Sequence, residues 1–149
     1  MKHEDLTNKI IHAFFKVYNT LGYGFLERVY RNALYFELLE MGINANMEKR
    51  ILVYYKTHVV GEYCADLMVE DAVICELKTS EALCEADENQ LINYLRATNV
   101  EVGLLLNFGK KAEVRRKVYD NEKKLWRTRR TSEISKNTDS TEENDLHKY

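Results

Sequence analysis

The run VEVGLLLNF, residues 100–108, is almost wholly apolar and flanked by turn residues, and it limits the fold more than any other stretch of the chain. A strand of this kind must be covered on both faces, so a chain of 149 residues needs helices on each side of a sheet. Those helices are legible. Leu6, Ile10, Phe14, Val17 and Leu21 recur at helical spacing, with Ile11, Phe15 and Tyr18 widening the stripe. Gly22 and Gly24 interrupt it, and a second helix is predicted from about Phe25 to Met41, stopped by Gly42. Residues 80–97 return to helical spacing through Leu83, Leu91, Tyr94 and Leu95.

Between these helices the pattern turns β-branched and aromatic. Strands are predicted near Lys49 to Lys56, Glu62 to Val69 and Ala72 to Lys78, the last two joined by the acidic turn Glu70-Asp71. The expected fold is α/β, a central sheet flanked by helices, with two N-terminal helices preceding the sheet. One domain is expected over residues 1–130. The Lys- and Arg-rich stretch from Lys110 to Arg130 reads as strand, helix or both, and residues 131–149 lack periodicity and apolar content, as a disordered tail would.

Composition narrows the function classes. A net charge of -2 excludes bulk basicity, so nucleic-acid binding must come from local patches. MKHEDLTNKI carries no apolar signal region and no run is long enough to span a membrane, so a cytoplasmic location without membrane contact is expected. Cys64, Cys75 and Cys84 form no C-x-x-C and leave an odd thiol, consistent with reduced cysteines packed as small hydrophobes. The scattered histidines His3, His12, His58 and His147 argue against zinc.

The stretch AVICELKT, residues 72–79, begins as a buried strand and then places an acid and a base two residues apart. Strand alternation puts Ile74, Glu76 and Lys78 on one face and Val73, Cys75 and Leu77 on the other. The turn at Glu70-Asp71 folds the preceding strand back and brings Asp66 toward Glu76, in a register the sequence leaves open. An isolated E-x-K is ordinarily a solvated ion pair. An aspartate on the adjoining strand changes that reading, because converging carboxylates suit a hard divalent ion such as Mg²⁺. A lysine beside such an ion can orient an attacking water and offset the charge developing on a phosphoryl group. The cluster points to phosphodiester hydrolysis.

ADLMVEDAVICELK resembles the core motif of the PD-(D/E)xK nuclease superfamily, with Asp66 as first acid, Glu76 as second and Lys78 as the lysine. GFLERVY, Gly24 to Tyr30, matches the G-x-x-E-x-x-Y pattern for which the GxxExxY family of that superfamily is named. The resemblance spans roughly Leu6 to Tyr119. It implies a restriction-endonuclease-like fold, a mixed sheet with helices on both faces, and a Mg²⁺-dependent nuclease, with Mn²⁺ as a substitute ion and DNA as the nucleic-acid partner. By similarity to the RecB-like branch, Glu27 joins the metal site, and QLINY supplies Gln90 and Tyr94 to contact substrate phosphate or brace Lys78. Two departures stand out: Tyr23 lies between the two glycines where members often carry proline, and Ala65 precedes Asp66.

The resulting site assignment has Asp66, Glu76 and Glu27 holding metal, with the Leu77 carbonyl as a further ligand, and Lys78 serving the water and the transition state. Tyr30, Gln90 and Tyr94 are expected on the substrate side. So are Arg115, Arg116 and Lys117, from a basic segment that includes Trp126 and could equally be a solvated face. The alternative is a binding or protein-interaction module that keeps the fold without turnover. A homodimer built on the basic segment is a further arrangement the sequence allows.

Overall fold

The structure, a computed structural model, describes residues 1–124. The expected tail and the part of the basic segment containing Trp126 lie outside the described residues.

Helix α1 spans Glu4–Leu21 and buries Ile10, Ala13, Phe14 and Val17, the stripe its spacing predicts. Glu4 and Asp5 sit in its first turn, where the helix dipole favours acids, and the Gly22 N–H closes it on the Tyr18 carbonyl. Helix α2 is Glu27–Glu40, shorter at its start than predicted: Leu26 is the extended N-cap, and Phe25 and Leu26 are exposed. Strands β1 (Ala45–Tyr55) and β2 (His58–Val69) form a long antiparallel hairpin. Both begin earlier in the chain than expected, β1 at Ala45 and β2 at His58. Asn46, Glu48, Lys49 and Arg50 hid the start of β1, since this edge strand exposes most of its first half.

Strand β3 (Val73–Lys78) follows a turn over residues 70–72 in which Glu70 and Asp71 both have φ of 52°, the conformation that matches hairpin twist. Helix α3 (Glu85–Arg96) then crosses over to β4 (Val102–Phe108), which runs parallel to β3 and is buried along its whole length. The helix starts later than residue 80 because Cys84 and Asp87 form a capping box there. Strand β5 (Ala112–Val118) resolves the start of the basic segment as strand, and a 3₁₀ turn follows at Asn121–Lys123.

The sheet order is β1-β2-β3-β4-β5, antiparallel except for β3 and β4. One core, with Phe14, Tyr30, Leu34, Leu77, Leu104 and Phe108, lies under α1 and α2. The other, with Ile51, Ile74, Leu91, Leu95 and Leu105, lies under α3. Gly103 allows α3 to sit close: a Cβ there would meet Leu91 Cδ1 at 2.7 Å. Cys75 is buried in the first core, while Cys64 and Cys84 are exposed free thiols, so only one of the three is packed as expected. No helix among the described residues is long and apolar enough to cross a membrane.

Candidate active site

The ladder between β2 and β3 stops at Leu67–Cys75. One rung further on, carboxylates replace backbone acceptors. The Asp66 N–H donates to Glu76 Oε1 at 3.0 Å, and the Leu77 N–H donates to Asp66 Oδ2 at 2.8 Å. Two acids are thereby pinned across the point where the strands separate, leaving Asp66 Oδ1 and Glu76 Oε2 without a hydrogen-bond donor among the described residues. The sequence left this register open, and it brings the pair directly opposite.

Lys78 follows on the α3 side. Its Nζ donates to Gln90 Oε1 at 3.4 Å and lies 3.9 Å from Asp87 Oδ1. Gln90 Nε2 donates in turn to the Tyr94 hydroxyl at 2.9 Å, and the Tyr94 ring sits 5.5 Å from that of Tyr63. The i, i+4 spacing of Gln90 and Tyr94 on α3 produces this chain.

Glu27 opens α2 from the opposite side of the sheet and is electrostatically coupled to Asp66 and Lys78. Burial raises its carboxyl above the usual range, the Asp66 charge adds to this, and Lys78 and Arg31 oppose it. Asp66 is also raised, mainly by burial, against the pull of the Leu77 N–H, Lys78 and Arg31. Glu76 is the most perturbed acid: only 5% exposed, it is pushed up to about 8 by burial and then by the Asp66 charge. Tyr94 is raised to about 12, by burial and by the Glu76 charge.

A pH dependence of stability follows. A carboxyl with a raised folded pKa stabilises the fold fully below its ordinary value and loses that contribution as pH rises through the folded value. In chelator the protein should therefore lose stability between about pH 4.5 and about 8, by an amount on the order of a few kcal/mol. Glu76→Gln keeps an oxygen for the Asp66 N–H and should remove most of that slope in melts across this range. An unchanged slope would place the titration elsewhere.

Some expected substrate contacts are not where the sequence put them. Tyr30 is 0% exposed: its ring stacks on Phe108 at 4.4 Å, and its hydroxyl donates to the Gly22 carbonyl at 2.6 Å and accepts from the Phe25 N–H at 3.2 Å. It braces the loop before α2 and has no surface for substrate. Arg115, Arg116 and Lys117 do not form one basic patch, because alternation along β5 sends Arg116 to the other face, where it donates to the Lys2 carbonyl. Arg115 pairs with Glu88 at 3.0 Å and lies 3.7 Å from Glu113, and Lys117 also pairs with Glu88. Were Arg115 and Lys117 both to bind phosphate, neutralising them would flatten the dependence of log affinity for DNA on log salt by about 2. With Glu88 holding both, the expected change is well under about 1, and a salt titration of the double variant distinguishes the two.

Sequence reading also missed groups near the acids. Glu48 faces the site from β1 in a left-handed conformation, φ 54°, unusual for a glutamate, and its carboxylate pairs with Arg31 at 2.6 Å. No local sequence signal marks either residue. Asp87 had one, the C-x-x-D capping box, disguised by Cys84 in the place of Ser or Thr.

Two acids and a lysine at the opened end of a central strand, on a mixed sheet covered by helices, define a restriction-endonuclease-like fold. Residues 4–117 match the PD-(D/E)XK nuclease superfamily, and the chain belongs to it. No curated protein matches the chain. Among solved structures, the crystal structure of SSO0001 is similar at a TM-score of 0.46 and 16% identity, covering 91% of this chain and 69% of that one. Membership of the superfamily points to a nuclease acting on nucleic acid, and such nucleases typically use divalent metals.

Proposed function

We propose that the protein is a Mg²⁺-dependent nuclease that hydrolyses phosphodiester bonds in DNA. The observation that carries this reading is the reciprocal pinning of Asp66 and Glu76 across the separated ends of β2 and β3, with Lys78 two residues on. The donor set fits the ion. Asp66, Glu76 and the Leu77 carbonyl offer oxygen only, as a hard cation requires. Among the described residues no group of three or more His, Cys, Asp or Glu is arranged to hold a metal. Mg²⁺ does not need one, because it usually takes one or two carboxylates and keeps waters and substrate phosphate for the rest.

A bound ion would polarise the phosphoryl group and lower the pKa of a water in its shell. The chain's own groups do the remaining work. The Lys78 ammonium donates to the attacking water and offsets the negative charge that grows on the phosphoryl oxygens. Gln90, held by Tyr94, keeps that ammonium from collapsing onto Asp87. Glu27, from the G-x-x-E-x-x-Y motif, would hold or orient the ion from the α2 side, and the Arg31–Glu48 pair lies within electrostatic reach of Asp66.

The reading is tested by incubating the protein with linear, nicked and single-stranded DNA, and with RNA, in Mg²⁺ or Mn²⁺. Cleavage of DNA that chelator stops is the expected result. Preferential cleavage of RNA would change the substrate, and binding without cleavage of any of these would replace the enzyme with a nucleic-acid-binding module.

A further inference from the structure

At the end of the sheet that carries the acids, a cleft of 260 Å³ opens between the loop before α2, the segment after β3 and the β4–β5 turn. It is bracketed in sequence by the candidate site: Phe25 precedes Glu27, and Thr79 and Ser80 follow Lys78. Two residues of chain reach at most about 7 Å, so Ser80 stays within that distance of Lys78.

All three walls are fixed from behind. Tyr30 holds the first through Gly22 and Phe25. Asn107 grips both backbone groups of Ser80, accepting its N–H at 3.0 Å and donating to its carbonyl at 2.9 Å. The Tyr18 hydroxyl lies 2.7 Å from the Gly109 carbonyl and 2.8 Å from that of Lys110, holding the third. Gly109 must be glycine, since a Cβ there would meet the Ser80 carbonyl oxygen at 2.0 Å. Buried Tyr30 and Asn107, with half-buried Tyr18, thus hold a cleft whose rim is aromatic. Tyr23 is 58% exposed and makes no hydrogen bond or ring contact with the described residues, and Phe25 is 50% exposed beside it. Lys110 adds a cation and Glu81 an acceptor.

The geometry points to a subsite for one unpaired nucleotide of a DNA strand, its base stacked on Tyr23 and Phe25 and its phosphate near Lys110. An aromatic side chain stacks on a base face, and within a duplex those faces are covered by neighbouring bases. A stacking platform here therefore selects single-stranded or frayed DNA. Glu81 can accept from an exocyclic amine of the base. The inference rests on the nuclease reading for what becomes of the strand, but not for its binding.

The test uses the whole protein in chelator, where no turnover is needed, and follows fluorescence anisotropy of a short labelled single strand and of the blunt duplex that this strand forms with its complement. Wild type should prefer the single strand. Tyr23→Ala, a change at an exposed side chain, should weaken single-strand binding by about tenfold and leave duplex binding unchanged, and Tyr23→Trp should restore single-strand binding. Equal single-strand affinity of Tyr23→Ala and wild type, an equal loss on the duplex, or no binding by wild type would each overturn the subsite. A Tyr23-dependent strand preference in a protein that never cleaves supports the subsite while removing the nuclease. Cleavage that is indifferent to Tyr23, with unchanged single-strand affinity, does the reverse.

Discussion

Lys78→Ala is expected to slow DNA cleavage by about a hundredfold or more while DNA affinity measured in Ca²⁺ stays within about twofold. The asymmetry follows from where the ammonium sits. Its contacts, 3.4 Å to Gln90 and 3.9 Å to Asp87, are long, and the side chain is 23% exposed, so it is not committed to a tight ion pair in the resting protein. Its donors remain free for charge that appears only in the transition state, and such an interaction affects turnover more than binding. A strand-end ion pair would behave differently: its loss would cost about 1 kcal/mol of stability and leave cleavage intact. Single-turnover rates alongside equilibrium binding separate the two, and undiminished cleavage by the variant would remove Lys78 from the chemistry.

Asp66→Asn and Glu76→Gln are each expected to abolish cleavage and the rise in melting temperature that Mg²⁺ or Mn²⁺ produces in wild type. Because burial and the Asp66 charge push Glu76 up to about 8, ion binding below that pH must displace its proton. The divalent-ion stabilisation of wild type should therefore grow between about pH 6 and about pH 9. Glu76→Gln has no proton to displace and should show no such growth. In chelator the same variant is expected to be more stable than wild type at alkaline pH, since a buried charge repelled by Asp66 has been removed. Equal shifts with divalent ions in wild type and both variants would locate the ion at another site.

The parts of this arrangement that local rules govern were legible in the sequence. Helical spacing marked α1, the acidic turn marked the β2–β3 hairpin, and alternation placed Glu76 and Lys78 on one face of β3. What was hidden depended on tertiary partners. The start of β1 is an exposed edge with no apolar alternation, and the loop from Thr79 to Cys84 has neither glycine nor proline to show where α3 begins. Tyr30 read as a substrate contact because it shares a motif and, three residues on, a helix face with Glu27, yet its ring is packed against Phe108 and its hydroxyl is taken up by Gly22 and Phe25. The basic segment read as a phosphate grip or a solvated face, undivided, because composition does not assign residues to faces. Only the strand pairing of β5 separates Arg116 from Arg115 and Lys117, and only the position of α3 supplies Glu88 to hold the latter two.

The most direct test of the central claim is cleavage of one labelled DNA by wild type, Asp66→Asn and Lys78→Ala, purified identically and assayed with Mg²⁺ and with chelator. The arrangement of Asp66, Glu76 and Lys78 predicts that wild type cuts only with the ion and that Asp66→Asn does not cut at all. Lys78→Ala should bind as wild type does and cut at about a hundredth of its rate or less. Cleavage that persists in Asp66→Asn, or wild type that binds DNA yet never cuts it in Mg²⁺, would contradict the account.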